Sequence, residues 1–297
     1  MPSCHPSLGH QLTQPLASTA GYYTSLTDLT TLGRSILNST LLPPLTTRKW
    51  LKPVTHTSSV RFSLGSPWEI LRESVDVTTT TTTTRVVDFY TKKGGGDGYT
   101  SMLGLSPDHG LGVSILTAGP SSDATFLALR QLFVDVWLPA AEQAARDQAS
   151  ANLAGRYALG ASSNATVAEV ALLPVEPALA LAALVSNGTD VLELVRANSK
   201  QLAGGQGPVR MWLYPMGLVA PSGGGKSKRI AFRGVVGFAG KPAAEDCGSW
   251  AEGDRLRWGN YPVDLVVFET GPDGKATAVE VPILGATLQR VREQVVG

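Results

Sequence analysis

The segment 85–119 constrains the fold of this chain more than any other, because three β-rich runs alternate there with turn residues. It reads RVVDFYTKKGGGDGYTSMLGLSPDHGLGVSILTAG. Glycine-rich and Pro-Asp-x-Gly sequences between such runs are typical of tight turns. The pattern therefore predicts an antiparallel meander whose three strands cover residues 86–90, 99–105 and 111–117.

Two adjacent lysines, Lys92 and Lys93, come directly before the glycines of the first predicted loop. Because glycine has no side chain, a ligand can approach its backbone closely, and successive N–H groups can bind an anion. The two ammonium groups would add positive charge at the same place. The loop 92–98 is therefore a candidate ligand site.

The overall composition is that of a globular protein with a weakly charged surface. The 297 residues are 43% apolar and 16% charged, and the net charge is +1. This length allows two domains, each with its own core. A net charge near zero argues against a nucleic-acid partner. No apolar run reaches the roughly 18 residues of a membrane span, so no membrane partner is predicted either.

The first 20 residues are expected to form an extended tail. They lack the charged start and the apolar centre of a signal peptide, and prolines interrupt them. Cys4, His5 and His10 could bind a metal, but they lack a fourth ligand on a fixed scaffold. We therefore predict no metal site, and no cofactor for the chain. Cys4 and Cys247 could pair or both stay free, which excludes only a framework of several disulfides.

Three Asn-x-Ser/Thr sequences, at Asn38, Asn164 and Asn187, are candidate glycosylation sites. Such sequences are modified only in a chain that enters the secretory pathway. They would make this protein a glycoprotein if it is secreted.

Helical patterns occur in the first half of the chain. Apolar spacing predicts helices at about 26–38 and 45–51, and a third at 121–147 that Pro139 kinks or divides. The seven threonines of 78–84 have β propensity but no side chains that define a core face. They are therefore interpreted as the exposed tip of a hairpin.

A change of pattern at residues 148–151 predicts a boundary between a domain 1–148 and a domain 149–297. Beyond it, short β-rich runs joined by glycine loops indicate a β-barrel or a β-sandwich. The predicted strands are 155–159, 165–173, 180–185, 191–195, 209–213, 230–236, 263–269 and 277–282.

Several short motifs do not fit the context that their chemistry requires. Residues 223–227 end like a phosphate-binding loop, but Ala220 stands where that loop needs glycine, and a strand follows it. Residues 94–98 precede a strand and not the helix of a dinucleotide-binding turn. Glu69 is interpreted as a loop residue that pairs with Arg72.

The sequence Lys92-Lys93-Gly94 resembles the Lys-Ser/Thr-Gly element of serine β-lactamases and penicillin-binding proteins, which lies on an edge strand of their sheet. The spacing to Gly98-Tyr99, Ser101 and Ser106-Pro107 is similar as well. Upstream, residues 20–29 resemble the helix start Ala-Gly-Gly-x-x-Ser-x-x-Asp-Leu of the family. The resemblance is closest to the class C-type branch, particularly to fungal β-lactamase-related proteins with an appended C-terminal domain.

The resemblance implies an α+β/α/β fold, in which part of a transpeptidase-like antiparallel sheet with helices precedes an all-β barrel or sandwich domain. It implies hydrolysis of an amide or ester through an acyl-enzyme. Lys92 would polarise the site, and the backbone N–H of Gly95 would donate to the oxyanion. Lys93 and Gly94 would bind the substrate, although Lys93 replaces the hydroxyl that normally contacts the substrate carboxylate. The substrate would be a small molecule or peptide-like, and the protein extracellular.

The nucleophile of this family is absent from the sequence. No Ser-x-x-Lys occurs anywhere in the chain, and neither this motif nor Tyr-x-Asn lies upstream of Gly21. The chain is therefore expected to be the truncated C-terminal portion of a serine hydrolase, inactive as written. Without the N-terminal strand that closes the sheet in this family, the meander should expose an edge and apolar surface.

Three explanations of the absent nucleophile remain open at this point. The chain could be a degenerate pseudoenzyme, or its gene model could be incomplete. Alternatively, it could be a non-catalytic binding module whose β domain holds a hydrophobic or peptidoglycan-like ligand. The sequence leaves the oligomeric state open.

Overall fold

A computed structural model describes most of the chain. The described residues are 22–76, 84–96, 98–160, 165–172, 176, 178–199, 202, 205–223, 227–239, 250–251, 253 and 255–291. They form two compact units. One unit is built from residues within 22–75 and 86–138, and the other from residues within 76–85 and 139–291.

The first unit contains a six-stranded sheet whose strands lie side by side in chain order. Ser25 caps its first helix, as its hydroxyl accepts a hydrogen bond of 3.1 Å from the N–H of Asp28. The helices are α1 (Leu26–Leu37), α2 (Pro44–Trp50) and α3 (Ser122–Leu132). The strands are β1 (Thr55–His56), β2 (Phe62–Leu64), β3 (Glu69–Asp76), β4 (Thr84–Gly96), β5 (Tyr99–Ser106) and β6 (Leu111–Ala118).

Strand β5 lies in the middle of the meander and is buried on both faces. Successive side chains of a strand point to opposite faces of the sheet. Met102 therefore packs with Phe89 of β4 and Phe126 of α3. The next residue, Leu103, packs on the other face in a cluster with Ile36 of α1. The meander is thus the centre of two small cores.

Strand β4 runs through the predicted glycine loop. The sequence pattern ends the first strand near Tyr90, but β4 pairs with β5 from Tyr90 to Gly96. Glycine has low β propensity, but strand pairing can override such local preferences. The prediction of a loop is therefore wrong for residues 92–96, so Lys92 and Lys93 are strand residues, whereas Gly98 lies in a turn.

Strand β6 lies at the edge of the sheet, in agreement with the expected open edge. Within the described part of the chain it pairs with β5 only. The same unit also exposes large apolar side chains, among them Leu116, Leu129 and Leu132.

The helical run Ser122–Leu153 follows the sheet. It consists of α3, a π-helical turn (Phe133–Trp137) and α4 (Leu138–Leu153). The expected break at Pro139 takes the form of this π turn, which leaves the proline at the start of α4. Of the described helices, only this run has the length and apolar composition of a membrane span. Core helices can meet the same criterion, so this finding by itself indicates little.

The second unit is a closed antiparallel barrel of eight strands, and not a sandwich. Its strands are β7 (Gly155–Leu159), β8 (Thr166–Ala171), β9 (Ala180–Ser186), β11 (Val209–Ser222), β12 (Ser227–Phe238), β15 (Leu265–Thr270), β16 (Ala276–Val281) and β17 (Ala286–Arg290). Around the barrel the order is β8-β9-β11-β12-β15-β16-β17-β7, and β7 pairs with β8 to close it. Outside the barrel, β10 (Thr189–Asp190) extends β9, and β13 (Arg257–Trp258) pairs with β14 (Tyr261–Pro262).

Apolar side chains fill the barrel. Tyr157 and Phe232 both contact the ring of Phe268, with centroid distances of 6.1 and 5.3 Å. The buried hydroxyl of Tyr157 donates to the carbonyl of Leu153 at 2.7 Å, and burial raises the pKa of this phenol to about 12. Among the described residues, the interior is a packed core and not a ligand cavity.

One predicted strand of the second unit is a helix. Residues 191–195 belong to α5 (Val191–Asn198). The carboxylate of Asp190 accepts hydrogen bonds from the N–H groups of Leu192 and Glu193, which satisfies donors at the helix start. The β-branched residues that indicated a strand lie instead on the buried face of this helix. The other predicted strands of this half coincide with strands, whereas β17 was not predicted.

A buried polar contact joins α4 to the outside of the barrel. The guanidinium of Arg146 donates to the backbone carbonyl of Glu176 at 2.9 Å, and the indole of Trp212 donates to the carboxylate of the same glutamate. All three side chains are buried. Residues 148–151, the predicted boundary, lie within α4, and the division at 148 and 149 stays a prediction. Of the threonine tract, only Thr84 is described, at the start of β4.

We expect Gly104→Ala to destabilise the first unit by about 1–3 kcal/mol, because an added methyl group overpacks the core. Its Cβ would lie 2.4 Å from Cζ of Phe89 and 3.0 Å from Cγ1 of Val113. Urea unfolding monitored by circular dichroism measures the change. Gly96→Ala is the matched control, since its Cβ would meet nothing within 4 Å. Equal stability of the two variants would contradict the packing of Phe89 over β5.

Candidate functional site

The Lys-Lys-Gly segment lies where β4 extends past its neighbour β3. Strand β3 begins at Glu69, and the hydroxyl of Thr91 donates to the carbonyl of Glu69 at 2.8 Å. The glycines 94–96 lie beyond that point and pair with β5 on their other side. Within the described residues, this end of β4 therefore has one free edge, where its backbone is accessible.

Lys92 and Lys93 are held by different carboxylates. The ammonium of Lys92 lies 2.6 Å from Oε1 of Glu69, and that of Lys93 lies 3.5 Å from Oδ1 of Asp123. The backbone N–H of Lys93 also donates to Oε2 of Glu69 at 3.4 Å. Consecutive residues of a strand point to opposite faces, so the two cations do not combine into one positive site.

A cleft of about 500 Å³ opens beside the free edge. Its charged groups are the ammonium of Lys93 and the carboxylates of Glu69 and Asp123, so the lining itself carries more negative than positive charge. The lining residues are Glu69, Lys93, Gly94, Gly95, Gly96, Gly98, Tyr99, Thr100, Ser122 and Asp123.

Asp123 is fixed by neighbours on β4 and β5, although its side chain is exposed. The buried hydroxyl of Thr100 donates to its Oδ1 at 2.8 Å. This hydrogen bond, followed by the charge of Lys93, lowers the pKa of Asp123 below its usual value. Its place in the first turn of α3 also suits a negative charge, because the N-terminus of a helix carries partial positive charge.

The glycines give the cleft a wall of backbone. A Cβ at Gly94 would lie 2.9 Å from the hydroxyl oxygen of Ser101, which donates to the carbonyl of Gly94 at 3.3 Å. A Cβ at Gly95 would lie 3.3 Å from the carbonyl oxygen of Tyr99. The oxyanion role of the Gly95 amide and the substrate contacts of Lys93 and Gly94 stay predictions.

Tyr90 lies on β4, two residues before Lys92, in an aromatic cluster with Trp68 and Trp50. The Tyr90 and Trp68 rings meet edge to face at a centroid distance of 6.5 Å, and those of Trp68 and Trp50 lie 5.0 Å apart. Burial, and then the charge of Asp88, raise the pKa of Tyr90 to about 12. This phenol therefore stays protonated at neutral pH, so it can donate a hydrogen bond but cannot act as a base.

Two serine–histidine pairs lie outside the cleft lining. The hydroxyl of Ser106 is 2.9 Å from Nδ1 of His109, and that of Ser63 is 3.0 Å from Nδ1 of His56. A nucleophilic serine needs access to its substrate as well as a base. Both serines are buried, so these pairs are structural contacts.

Sequence patterns missed the partners of both lysines. Glu69 pairs with Lys92, whereas Arg72, its expected partner, pairs with Asp88 at 3.2 Å. Asp123 carries no motif, and only the fold brings it to Lys93. Neither contact has a local signal in the sequence, because each joins residues more than 20 positions apart.

Other predicted sites are only partly described. Asn38 and Asn187 are exposed and lie in turns, whereas Asn164, Cys4, His5, His10 and Cys247 are outside the described residues. The described residues contain no cluster of three or more His, Cys, Asp or Glu side chains that could hold a metal ion.

Comparison with known proteins gives matches over both halves of the chain. Residues 145–292 match a family model described as "Beta-lactamase-like-like, C-terminal domain". A beta-lactamase-like protein of Arthroderma benhamiae is 32% identical over 288 residues, which cover 89% of this chain and 48% of that relative. A beta-lactamase-like protein of Strobilurus tenacellus is 28% identical over 281 residues, or 93% of this chain and 83% of that protein. The chain thus spans about half the length of the Arthroderma relative. No solved structure matches it significantly.

We expect Thr100→Val to raise the pKa of Asp123 toward that of a free aspartate, because the strongest interaction of the ionised carboxylate is lost. Carboxyl carbon NMR shifts followed against pH measure this, with Thr100→Ser as the matched control that keeps the hydroxyl. A folded-state pKa below the unfolded one means that ionised Asp123 adds stability above the unfolded-state pKa, which disappears as pH falls through the folded-state pKa. An unchanged titration in Thr100→Val would show that the hydrogen bond is not made.

Proposed function

The chain is related to β-lactamase-like proteins and carries the C-terminal domain of that family in its second half, and we propose that its first unit forms one wall of an acyl-transfer cleft in a hydrolase of amides or esters. The observation that carries this proposal is the free end of β4. There, the accessible backbone of Gly94, Gly95 and Gly96 lines one cleft, and Lys92 precedes it on the same strand in the spacing of the family motif, although Lys92 does not itself line that cleft.

Lys92 and Gly95 have separate roles in this proposal. Hydrolysis of an acyl group passes through an intermediate with a negatively charged oxygen, which backbone N–H groups can stabilise. The Gly95 amide supplies such a donor. Lys92, which is paired with Glu69 and points to the opposite face of β4 from Lys93, would polarise the site as the family resemblance implies. On this reading, the six-stranded sheet and its helices correspond to part of a transpeptidase-like fold.

The nucleophile has to come from outside the printed sequence. None of the 297 residues forms a Ser-x-x-Lys motif, and neither buried serine–histidine pair can reach a substrate. The chain spans only 48% of the Arthroderma relative, so relatives contain polypeptide in which such a motif could lie. We therefore propose that the activity belongs to a longer polypeptide or to a complex.

The binding-module alternative receives no support from the second unit. A barrel that binds a hydrophobic ligand needs an internal cavity. In the described residues the interior is occupied by a continuous cluster of apolar side chains. We propose instead that the barrel is a structural appendage of the hydrolase.

We expect the purified 297-residue chain to show no turnover of nitrocefin or p-nitrophenyl esters and no labelling by a fluorophosphonate. The reason is that an oxyanion donor without a nucleophile supplies only part of the catalysis. Turnover by this chain that a fluorophosphonate abolishes would overturn the assignment of the nucleophile to another segment.

The role of Lys92 is tested in the longer polypeptide encoded by the gene, if the upstream coding sequence contains Ser-x-x-Lys. There, Lys92→Met should lower kcat for ester hydrolysis by about 10²–10³-fold, because charge stabilisation in the transition state is lost. Lys49→Met, which changes an exposed lysine on α2, should leave kcat unchanged. Equal kcat values in the two variants would remove Lys92 from the mechanism.

We also propose that the protein is extracellular and carries N-linked glycans. The exposed turn positions of Asn38 and Asn187 support this proposal. Expression through a fungal secretory pathway should give a product whose mass falls on treatment with an N-glycosidase. Thr189→Ala, which destroys one acceptor sequence but keeps Asn187, should remove one glycan. A secreted product without glycans would refute this part of the proposal.

A further inference from the structure

We propose that the cleft selects ligands that have no carboxylate beside Lys93, and that Asp123 is the residue that determines this specificity. The proposed ligand class is an ester or amide whose acyl part is uncharged at that end. This inference rests on the proposed function, because it takes the cleft at Gly94–Gly96 as the ligand site.

The first step is the charge balance of the cleft. The ammonium groups of Lys92 and Lys93 are each paired with a carboxylate, of Glu69 and Asp123. A ligand carboxylate that approached Lys93 would also approach Asp123, and like charges at such distances repel. Lys93, which stands where the family usually has a hydroxyl residue, is therefore already paired with a carboxylate and does not offer an unpaired cation to an anionic ligand.

The second step is that Asp123 is held in place. Its Oδ1 accepts the 2.8 Å hydrogen bond from Thr100, whose hydroxyl also lies 3.5 Å from that of Ser122. Both hydroxyl residues are buried, so this support is part of the packed unit. Asp123 is ionised at neutral pH, as any free aspartate is, and its lowered pKa extends this ionised state to more acidic pH. A ligand carboxylate cannot displace Asp123 without breaking these contacts.

The third step is that Lys93 is held on its apolar side as well. Its ammonium lies 5.0 Å from the centre of the Phe126 ring, which is a favourable cation–π distance. Phe126 belongs to α3, and its ring is buried in the core between this helix and the sheet. Movement of Lys93 toward a ligand would therefore weaken two contacts at once.

The fourth step concerns the backbone groups of the cleft that remain accessible to a ligand. The backbone of Gly94, Gly95 and Gly96 lies at the free edge, and no Cβ narrows the approach to it. Peptide N–H and C=O groups recognise the amide or ester group of a ligand, whatever its charge. An uncharged acyl compound can therefore bind at the free edge of β4 without electrostatic repulsion from the Asp123 carboxylate.

The test compares two ligands of similar shape, N-acetylalaninamide, which ends in a neutral amide, and N-acetylalanine, which ends in a carboxylate. Binding to the 297-residue chain is followed by the backbone amide NMR signals of Gly94, Gly95 and Gly96. We expect the neutral amide to bind roughly tenfold more tightly than the acid, as one repulsive contact implies. In Asp123→Asn this ratio should fall to near unity, because Lys93 then becomes available to the carboxylate.

Asp135→Asn is the matched control, since it makes the same carboxylate-to-amide change elsewhere on the helical run. Asp135 is exposed and accepts a local hydrogen bond of 2.8 Å from Gln131. The control should keep the tenfold preference. Thermal unfolding of each variant establishes that the fold is intact.

Each outcome decides between the inference and the function on which it rests. Equal affinity of the two ligands for the wild-type chain, or an unchanged ratio in Asp123→Asn, overturns the role of Asp123 but leaves the cleft as a binding site. If neither ligand shifts the glycine amides of the folded chain, the selectivity inference is overturned, whereas the proposed function is decided separately by the Lys92→Met comparison in the longer polypeptide.

Discussion

The first unit depends on the burial of β5 on both faces of the sheet. A strand in this position must pack a different core with each alternate side chain, and β5 does so with Met102 and Leu103. Phe89 packs closely over Gly104, where an added Cβ would lie 2.4 Å from its ring, so a residue with a side chain does not fit at this position of β5. Because β4 pairs with β5 as far as Gly96, this packing also fixes where the lysines and the glycine edge lie.

The meander and most strands of the second unit could be predicted because their information is local. Alternating apolar residues and turn sequences determine strands without reference to distant parts of the chain. Predictions from local patterns were wrong where a non-local contact or a helix cap determines the secondary structure. Pairing with β5 makes a strand of the glycines 94–96, and the Asp190 cap makes a helix of the β-branched residues that follow it. Barrel closure depends on the contact of β7 with β8 and β17, which no local pattern contains.

The sequence singles out the segment that contains the candidate site but not the charged groups that the fold brings beside it. The sequence shows two cations beside glycines, whereas the fold supplies a carboxylate to each of them from elsewhere in the chain. Glu69 comes from the start of the neighbouring strand, and Asp123 comes from the helix after the sheet. Tertiary structure determines which charged groups lie beside a sequence motif. A segment with the spacing of a known motif can therefore have a different electrostatic environment.

This difference bears on which ligands the proposed cleft would accept. A single residue that gains charge in a cleft normally attracts ligands of the opposite charge. Here the gained cation, Lys93, comes together with an anion, Asp123, which is supported by the buried Thr100. A compensated pair at an exposed site costs little desolvation, and in the proposed selectivity it offers a ligand carboxylate no cation without an adjacent anion. The free edge of β4 is unaffected, so backbone recognition of an acyl group and discrimination by charge are carried by separate parts of one cleft.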